Sequence, residues 1–333
     1  VSIAISDANT ATTIAGWGRL PHMGVLRFSG PDALGFLQGQ VSNDTTPLAG
    51  GVPVLAAYST PQGRVLAILN LLPHSSGILG ILPRDVAAST RDRLRKFVLR
   101  AKVKIEDLSE EFFVLGMDAA ALRDSGFGEA PPSMAYREEN GVGIAGLGRD
   151  AALPSERYWV IGDQSSIGGV SPMDGASSRD GAADAGPADI ERRWRLGDVR
   201  EGLSQVYAAT SELFVAQMLN LDLVGGISFS KGCYTGQEII ARTQHLGRIK
   251  RRLSRLRLPP SQAWSIGQPL RLADGRSGRV SEIAPVGDGF EALAVLSLGT
   301  GAAGTADGGA AESETAAAEA VPALELPLPY RTG

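Results

Sequence analysis

At 333 residues and 43% hydrophobic, the chain can bury a large core, and its length points to two or three domains. A formal net charge of −4 argues against a dedicated nucleic-acid coat but leaves room for a local basic patch. The single cysteine, Cys233, excludes an intramolecular disulfide framework and suits a reducing compartment, while three scattered histidines (His22, His74, His245) offer no metal-ligand spacing.

The N-terminus lacks the basic-then-apolar pattern of a secretory signal, and no run reaches the length of a transmembrane helix. A soluble cytoplasmic protein without membrane contacts is expected. Gly30-Pro31 predicts a turn, followed by a helix whose Leu34 and Leu37 share a face and which ends near Gly39. Gly51 to Leu72 reads as two apolar strands around a Pro61-Gln-Gly63 turn, with Val65 to Leu72 buried. Beyond Pro83 an amphipathic helix is expected, with Val86, Leu94, Phe97 and Val98 on one face and Arg91, Arg93 and Arg95 solvated.

Lys102 to Ile105 and Phe112 to Leu115 predict short strands, and Ala119 to Arg123 a short helix. Ser165 to Ala188, rich in Gly, Ser, Asp and Ala, predicts a long loop between a Tyr158–Ile161 strand and an Ile190–Leu196 helix. After Ile249, short alternating runs at 270–272, 279–283 and 292–296 predict a small β-barrel, interrupted by an Ala/Gly-rich insertion at about 299–320. Elements alternate without a regular βαβ rhythm, so the fold class is α+β. The expected units are 1–150 (parts of two intertwined domains), 151–247 and 248–333.

Gly141-Val-Gly-Ile-Ala-Gly146 matches the dinucleotide fingerprint on paper. It follows polar Arg137 to Asn140 and precedes no helix, so it offers no phosphate cradle. The basic run Arg248, Lys250, Arg251, Arg252, Arg255 and Arg257 predicts a solvated strand face, with RNA or a polyanionic tail as functional alternatives. No aromatic residue is interleaved to stack bases, and direct nucleic-acid binding is not expected.

The most informative stretch is Lys231-Gly-Cys-Tyr-Thr-Gly-Gln-Glu238. It places Cys233 between a lysine and the predicted start of a helix over Gln237 to His245, where Thr235 and Glu238 have capping-box spacing. The helix terminus and the Lys231 ammonium would both favour thiolate over thiol. A small buried thiol beside a merely capped helix is the alternative. His245 would lie about 15 Å along the axis from the helix start, too far to pair with Cys233.

The longer segment Gly225-Gly-Ile-Ser-Phe-Ser-Lys-Gly-Cys-Tyr-Thr-Gly-Gln-Glu238 closely resembles the signature of the YgfZ family, folate-binding proteins related to the aminomethyltransferase (T-protein) of the glycine cleavage system. Two further segments resemble the family in the right order: Ser29 to Asp44, and Tyr58-Ser-Thr-Pro-Gln-Gly-Arg64. So does Gly275 to Val280 running into Ala292 to Leu296.

The resemblance implies a three-domain T-protein-like arrangement around a central channel. It implies tetrahydrofolate or a derivative as cofactor, and a role in assembly or repair of iron–sulfur clusters, including those of tRNA-modifying enzymes. Iron–sulfur enzymes or assembly proteins would be the partners, and a cluster would be held only in passage. Cys233 would be the reactive residue, as transient cluster ligand or nucleophile, with Lys231 beside it. Tyr234, Gln237 and Glu238 would line the folate channel, with Glu238 also able to cap the helix. Asn43 and Asp44 would frame the channel from the first domain, Asp44 being equally readable as a turn residue, and Arg64 would meet a glutamyl carboxylate. The related transferase uses a carboxylate on the strand after the Gly63 turn, yet Arg64 to Leu72 holds no Asp or Glu. Aminomethyl transfer is therefore not expected.

Overall fold

The computed structural model describes residues 17–147, 155–167, 187–245, 249–299 and 319–332. Most of the loop expected at 165–188 and of the insertion expected at 299–320 lies outside them. In chain order the described elements are β1 (Gly18–Arg19), β2 (Met23–Ser29), α1 (Ala33–Gln38), β3 (Val54–Ser59), β4 (Val65–His74), β5 (Gly77–Pro83), α2 (Arg84–Arg95), β6 (Lys104–Asp107), β7 (Phe112–Asp118), α3 (Ala119–Asp124), β8 (Tyr136–Glu139), β9 (Val142–Gly146) and β10 (Arg157–Asp163). They continue with α4 (Pro187–Glu201), α5 (Gln237–His245), β11 (Arg251–Leu258), β12 (Pro269–Leu272), β13 (Ser277–Val286), β14 (Gly289–Ser297), β15 (Ala320–Val321) and β16 (Leu324–Leu326).

The first sheet has the order β3-β4-β5-β2-β6, with the β3–β4 hairpin turning at Pro61 to Gly63 as its sequence predicts. Successive side chains on a strand point to opposite faces. On β4, Ala67, Leu69 and Leu71 enter the cluster under α1 and α2, whereas Ile68 and Leu72 enter clusters on the other side. Both faces are covered, which is why the strand reads as one continuous apolar run instead of an alternating one. Each fully buried leucine there contributes roughly 1.5–3 kcal/mol.

The second sheet, β1-β7-β10-β9-β8, packs Val114, Trp159 and Ile161 against Val25, Leu79 and Ile81 of the first. The expected boundary at 150 falls between β9 and β10, which pair directly (Trp159 opposite Ala145), so this sheet draws strands from both sides of it. The glycine-rich Gly141 to Gly146 is the inner arm of the β8–β9 hairpin, between β10 and the edge strand β8, turning through left-handed Asn140 and Gly141.

In the third sheet, β15-β12-β13-β14-β11-β16, the two edges are bordered by one segment: β15 runs parallel to β12 and β16 antiparallel to β11, with only Pro322 and Ala323 between them. Leu256, Leu270, Val280, Ala294 and Val321 fill its core. This is the sheet in the region where a small barrel was expected.

Helix α4 ties the second sheet to the third. Arg157 of β10 is 1% exposed, and its guanidinium donates to both carboxylate oxygens of Glu201 at 2.7 Å, to Asp198 at 2.8 Å and to the Trp194 carbonyl at 3.1 Å. Burial works against its charge, yet Glu201 and Asp198 hold it protonated above its usual range. Further along the helix, Arg195 donates to Glu282 of β13 at 3.0 Å and to the Tyr207 hydroxyl at 2.7 Å, and Arg200 donates to Glu291 of β14 at 3.1 Å.

One expectation about charge and one about an apolar helix face fail. Arg252 and Arg255 of β11 are each 11% exposed, not solvated: Arg252 grips Asp222 through two bonds of 3.0 and 2.9 Å, and Arg255 holds Glu291 at 2.6 Å. Arg257 donates to Asp288 at 3.3 Å. On α2, Val86 and Leu94 are buried, but the helix ends at Arg95 and Phe97 lies beyond it, 48% exposed.

Removing one partner of a buried ion pair strands the other without compensation. Arg157→Met should therefore destabilise the fold by about 3–5 kcal/mol in urea unfolding, because Asp198 and Glu201 lose their shared counter-ion. A loss below about 1 kcal/mol, the size seen for exposed pairs, would mean that the pairing does not hold α4.

Candidate functional site

The segment from Gly225 to Gly236 is irregular chain, so its backbone polar groups must find partners outside any helix or sheet. They find them on the chain that leaves α1. Ser42, fully buried, donates its hydroxyl to the Gly226 carbonyl at 2.6 Å and accepts from the Ala57 N–H at 2.8 Å, while the Ser228 N–H donates to the Ser42 carbonyl at 3.0 Å. Asn43 donates its amide to the carbonyls of Gly225 at 2.7 Å and Leu55 at 2.8 Å.

Lys231 closes this clasp. Its ammonium donates to the carbonyls of Gln38, Val41 and Asn43 at 2.7, 2.8 and 2.8 Å, the first an acceptor left unused at the end of α1 and the others on the chain that leaves it. It also lies 5.0 Å from the centre of the Tyr234 ring. Burial pulls the ammonium down to about 8, and the nearby charge of Asp44 opposes that shift. Its three hydrogens go to carbonyls, so the lysine expected to support a thiolate is engaged in joining two segments of the fold.

The Pro61–Gly63 turn packs on the start of α5 through two glycines. Gly236 has φ +85°, and a Cβ there would fall 2.7 Å from the Thr60 carbonyl oxygen; Gly63 has φ +72°, and a Cβ there would fall 2.9 Å from the Ile239 Cβ. Both positions combine left-handed backbone with close approach, which only glycine accommodates without strain. This contact displaces the expected capping box. Gly236, not Thr235, precedes the first residue of α5, and Glu238, with an 81% exposed side chain, accepts from Arg242 one turn along at 2.8 Å.

Ile240 is fully buried with Tyr234 against Ala57, Val65 and Ile68, and burial raises the Tyr234 phenol to about 12. Asp44 accepts from the Thr46 N–H at 3.0 Å, from the Thr46 hydroxyl at 2.9 Å and from Gln38 at 3.0 Å. The Thr46 bonds hold its carboxyl below the usual range. Arg64 donates to the Leu213 carbonyl at 2.9 Å.

Cys233 is exposed, contrary to the reading of a small buried thiol, and Gln237 is half-buried. The structure thus brings Asn43, Asp44, Lys231 and Tyr234 into one junction with the Gly63 turn behind it, and leaves Cys233 and Glu238 facing solvent. Sequence reasoning missed four participants: Gln38, Val41, Ser42 and Ser59. All four lie inside the matched segments 29–44 and 58–64, which was the available signal. The Gln40 Oε1 and Ser59 Oγ atoms are buried without a hydrogen-bond partner.

Among the described residues no group of three or more His, Cys, Asp or Glu is placed to hold a metal ion. A cleft of about 270 Å³ lies against β11 and β16, lined by Arg255, Glu325, Tyr330 and neighbours; none of its lining residues belongs to the four matched segments.

No family model matches the chain. Curated relatives do. It is 30% identical over 254 residues to the tRNA-modifying protein YgfZ of Pectobacterium carotovorum, covering 75% of this chain and 72% of that one. To the protein of the same name from Edwardsiella ictaluri it is 32% identical over 286 residues, covering 82% and 81%. The Colwellia psychrerythraea protein of that name is 32% identical over 238 residues, 70% of this chain and 69% of the other. Among solved structures, the glycine cleavage system aminomethyltransferase T of Bartonella henselae superposes with a TM-score of 0.59 at 15% identity, over 86% of this chain and 80% of that one; the two share the fold.

Charge-assisted hydrogen bonds contribute more than neutral ones. Lys231→Ala should cost about 2–4 kcal/mol of unfolding free energy, and Lys231→Arg should not restore it, since a planar fork cannot converge on three carbonyls. Exposed Cys233→Ser should change stability by less than about 0.5 kcal/mol. Equal loss from the lysine and cysteine variants in urea melts would contradict the clasp.

Proposed function

Because the chain belongs to the YgfZ family, we propose that it is a tetrahydrofolate-binding accessory protein for assembly or repair of iron–sulfur clusters in client enzymes, including tRNA-modifying ones, acting through Cys233. The observation that carries this reading is the convergence of three matched segments on one junction that leaves the only thiol of the chain exposed. The relatives are named tRNA-modifying proteins, which supports the client class.

A single thiol cannot hold a cluster alone, so the cluster is cargo and its other ligands come from a partner or a small molecule. An exposed cysteine suits that task, because a partner can reach it without the core opening. Lys231 holds the loop carrying the thiol, while Ser42 and Asn43 fix its other end.

The fold is shared with the aminomethyltransferase T of the glycine cleavage system, and the three sheets would be units around a central folate channel. The buried, unpaired Gln40 Oε1 and Ser59 Oγ fit a ligand that brings both donors and acceptors, as a pterin does. With half-buried Gln237 they would hold the pterin and Arg64 would meet a glutamyl carboxylate, while Asn43, Asp44 and Tyr234 frame the junction and Glu238 lies at its exposed edge. Bound tetrahydrofolate supplies a reduced pterin able to carry one-carbon units. β4 bears no carboxylate, which favours an accessory role over aminomethyl transfer.

Anaerobic calorimetry with tetrahydrofolate should show micromolar binding, and a one-carbon assay in the same tube should show no turnover. Cys233→Ala should keep folate binding and lose the ability to restore cluster-dependent activity of a client enzyme. Absence of binding at millimolar folate would sink the folate reading, and turnover of an aminomethyl donor would replace the accessory role with an enzymatic one.

A further inference from the structure

Ion pairing on β11 removes much of the charge from the basic strand at 248–257, and a different segment is left with unpaired cations. Residues 91–104 hold seven cations (Arg91, Arg93, Arg95, Lys96, Arg100, Lys102 and Lys104) and one carboxylate, Asp92, in a chain of formal net charge −4. Lys96, Arg100 and Lys102 are exposed and form no salt bridge among the described residues; the charge of Lys96 acts only on nearby exposed Asp92. Arg93 meets Glu212 and Lys104 meets Glu106 in pairs with at least one exposed partner, worth little in water. Between these cations Phe97 is 48% and Leu99 87% exposed.

The segment is also held in place. Val98 and Val103 pack on the core beneath α1 and α2, Arg95 donates to the Ile105 carbonyl at 3.1 and 2.7 Å, and the Lys102 N–H donates to Asp32 at 2.7 Å. A loop anchored by its apolar residues therefore presents cations and one aromatic ring outward in a fixed frame, with little ordering left to be done on binding.

We propose that residues 91–104 form a docking face for RNA, with Lys96, Arg100 and Lys102 on the phosphate backbone and Phe97 stacked on an unpaired base. Phosphates supply the negative charge that this surface lacks, and an exposed aromatic among cations is what single-stranded bases use. Cations outnumber apolar side chains on the face, which favours RNA over a bilayer. A single exposed leucine is ordinary surface, so Leu99 needs no ligand. The surface is separate from the Cys233 junction; only the choice of tRNA as probe rests on the functional reading above.

The test is fluorescence anisotropy with an unmodified tRNA transcript across a salt series. Wild type should bind with a dissociation constant of roughly 1–100 μM that weakens with salt. The Lys96→Glu/Arg100→Glu/Lys102→Glu variant should lose at least about tenfold in affinity, and its salt slope should fall by about 2–3, one phosphate per cation. Phe97→Ala should lose about tenfold, whereas Leu99→Ser and the remote Arg271→Glu should bind as wild type. The triple variant should keep its unfolding midpoint and its tetrahydrofolate affinity, which separates failure of this face from failure of the folate reading. Wild-type affinity in the triple variant, or no binding by wild type at low salt, overturns the proposal. So does binding to phosphatidylglycerol vesicles that is lost in Leu99→Ser when tRNA does not bind, which would assign the loop to a lipid surface.

Discussion

An ammonium taken half out of water must find acceptors, and Lys231 finds three in the carbonyls of Gln38 at the end of α1 and of Val41 and Asn43 on the chain that leaves it. The position of the signature loop follows from this constraint. With Lys231 anchored at one end and the Gly225 and Gly226 carbonyls held by Asn43 and Ser42 at the other, the chain between them spans a short, fixed distance on the first sheet's flank. Cys233 comes two residues after the anchor and is turned outward. Ile240, on the helix that follows, is drawn into the core that joins the first and third sheets.

The same rule operates elsewhere in the molecule. Arg157, Arg195 and Arg200 are cations at the places where α4 meets two sheets, and each is met by carboxylates from a different stretch of chain: Asp198 and Glu201 for the first, Glu282 for the second, Glu291 for the third. Glu282 is fully buried, and burial raises its carboxyl while Arg195 and the Tyr207 hydroxyl support its charge. Such pairs are weak sources of net stability, but an unpaired member is costly, so they fix orientation more than they add binding energy. Pairing also decides which surfaces remain charged. Arg252 and Arg255 are consumed within the fold, whereas Lys96, Arg100 and Lys102 are left exposed on a loop anchored from below.

Much of the architecture was legible because its causes are local. The Pro61–Gly63 turn and its apolar arms mark a hairpin by themselves, and β4 reads as buried because every residue from Val65 to Leu72 but Asn70 is apolar. The candidate site was legible for a different reason: fourteen consecutive residues around Cys233 carry a family pattern. What failed depends on distant partners. Thr235 and Glu238 have capping spacing, but the backbone contact of Gly236 with Thr60 and Gly63 sets the start of α5. Arg252 looked solvated because Asp222 lies thirty residues away.

Taken alone, the sequence determined the element types, the α+β class, the family pattern and the identity of the one thiol, since each is written in spacing or in a contiguous motif. Tertiary structure decided that Lys231 closes a clasp, that β11 is paired, and that the thiol is exposed. Those outcomes turn on which carbonyls and carboxylates surround a cation once it is buried. That is settled by chain segments as far apart as Gln38 and Lys231, and no local pattern encodes it.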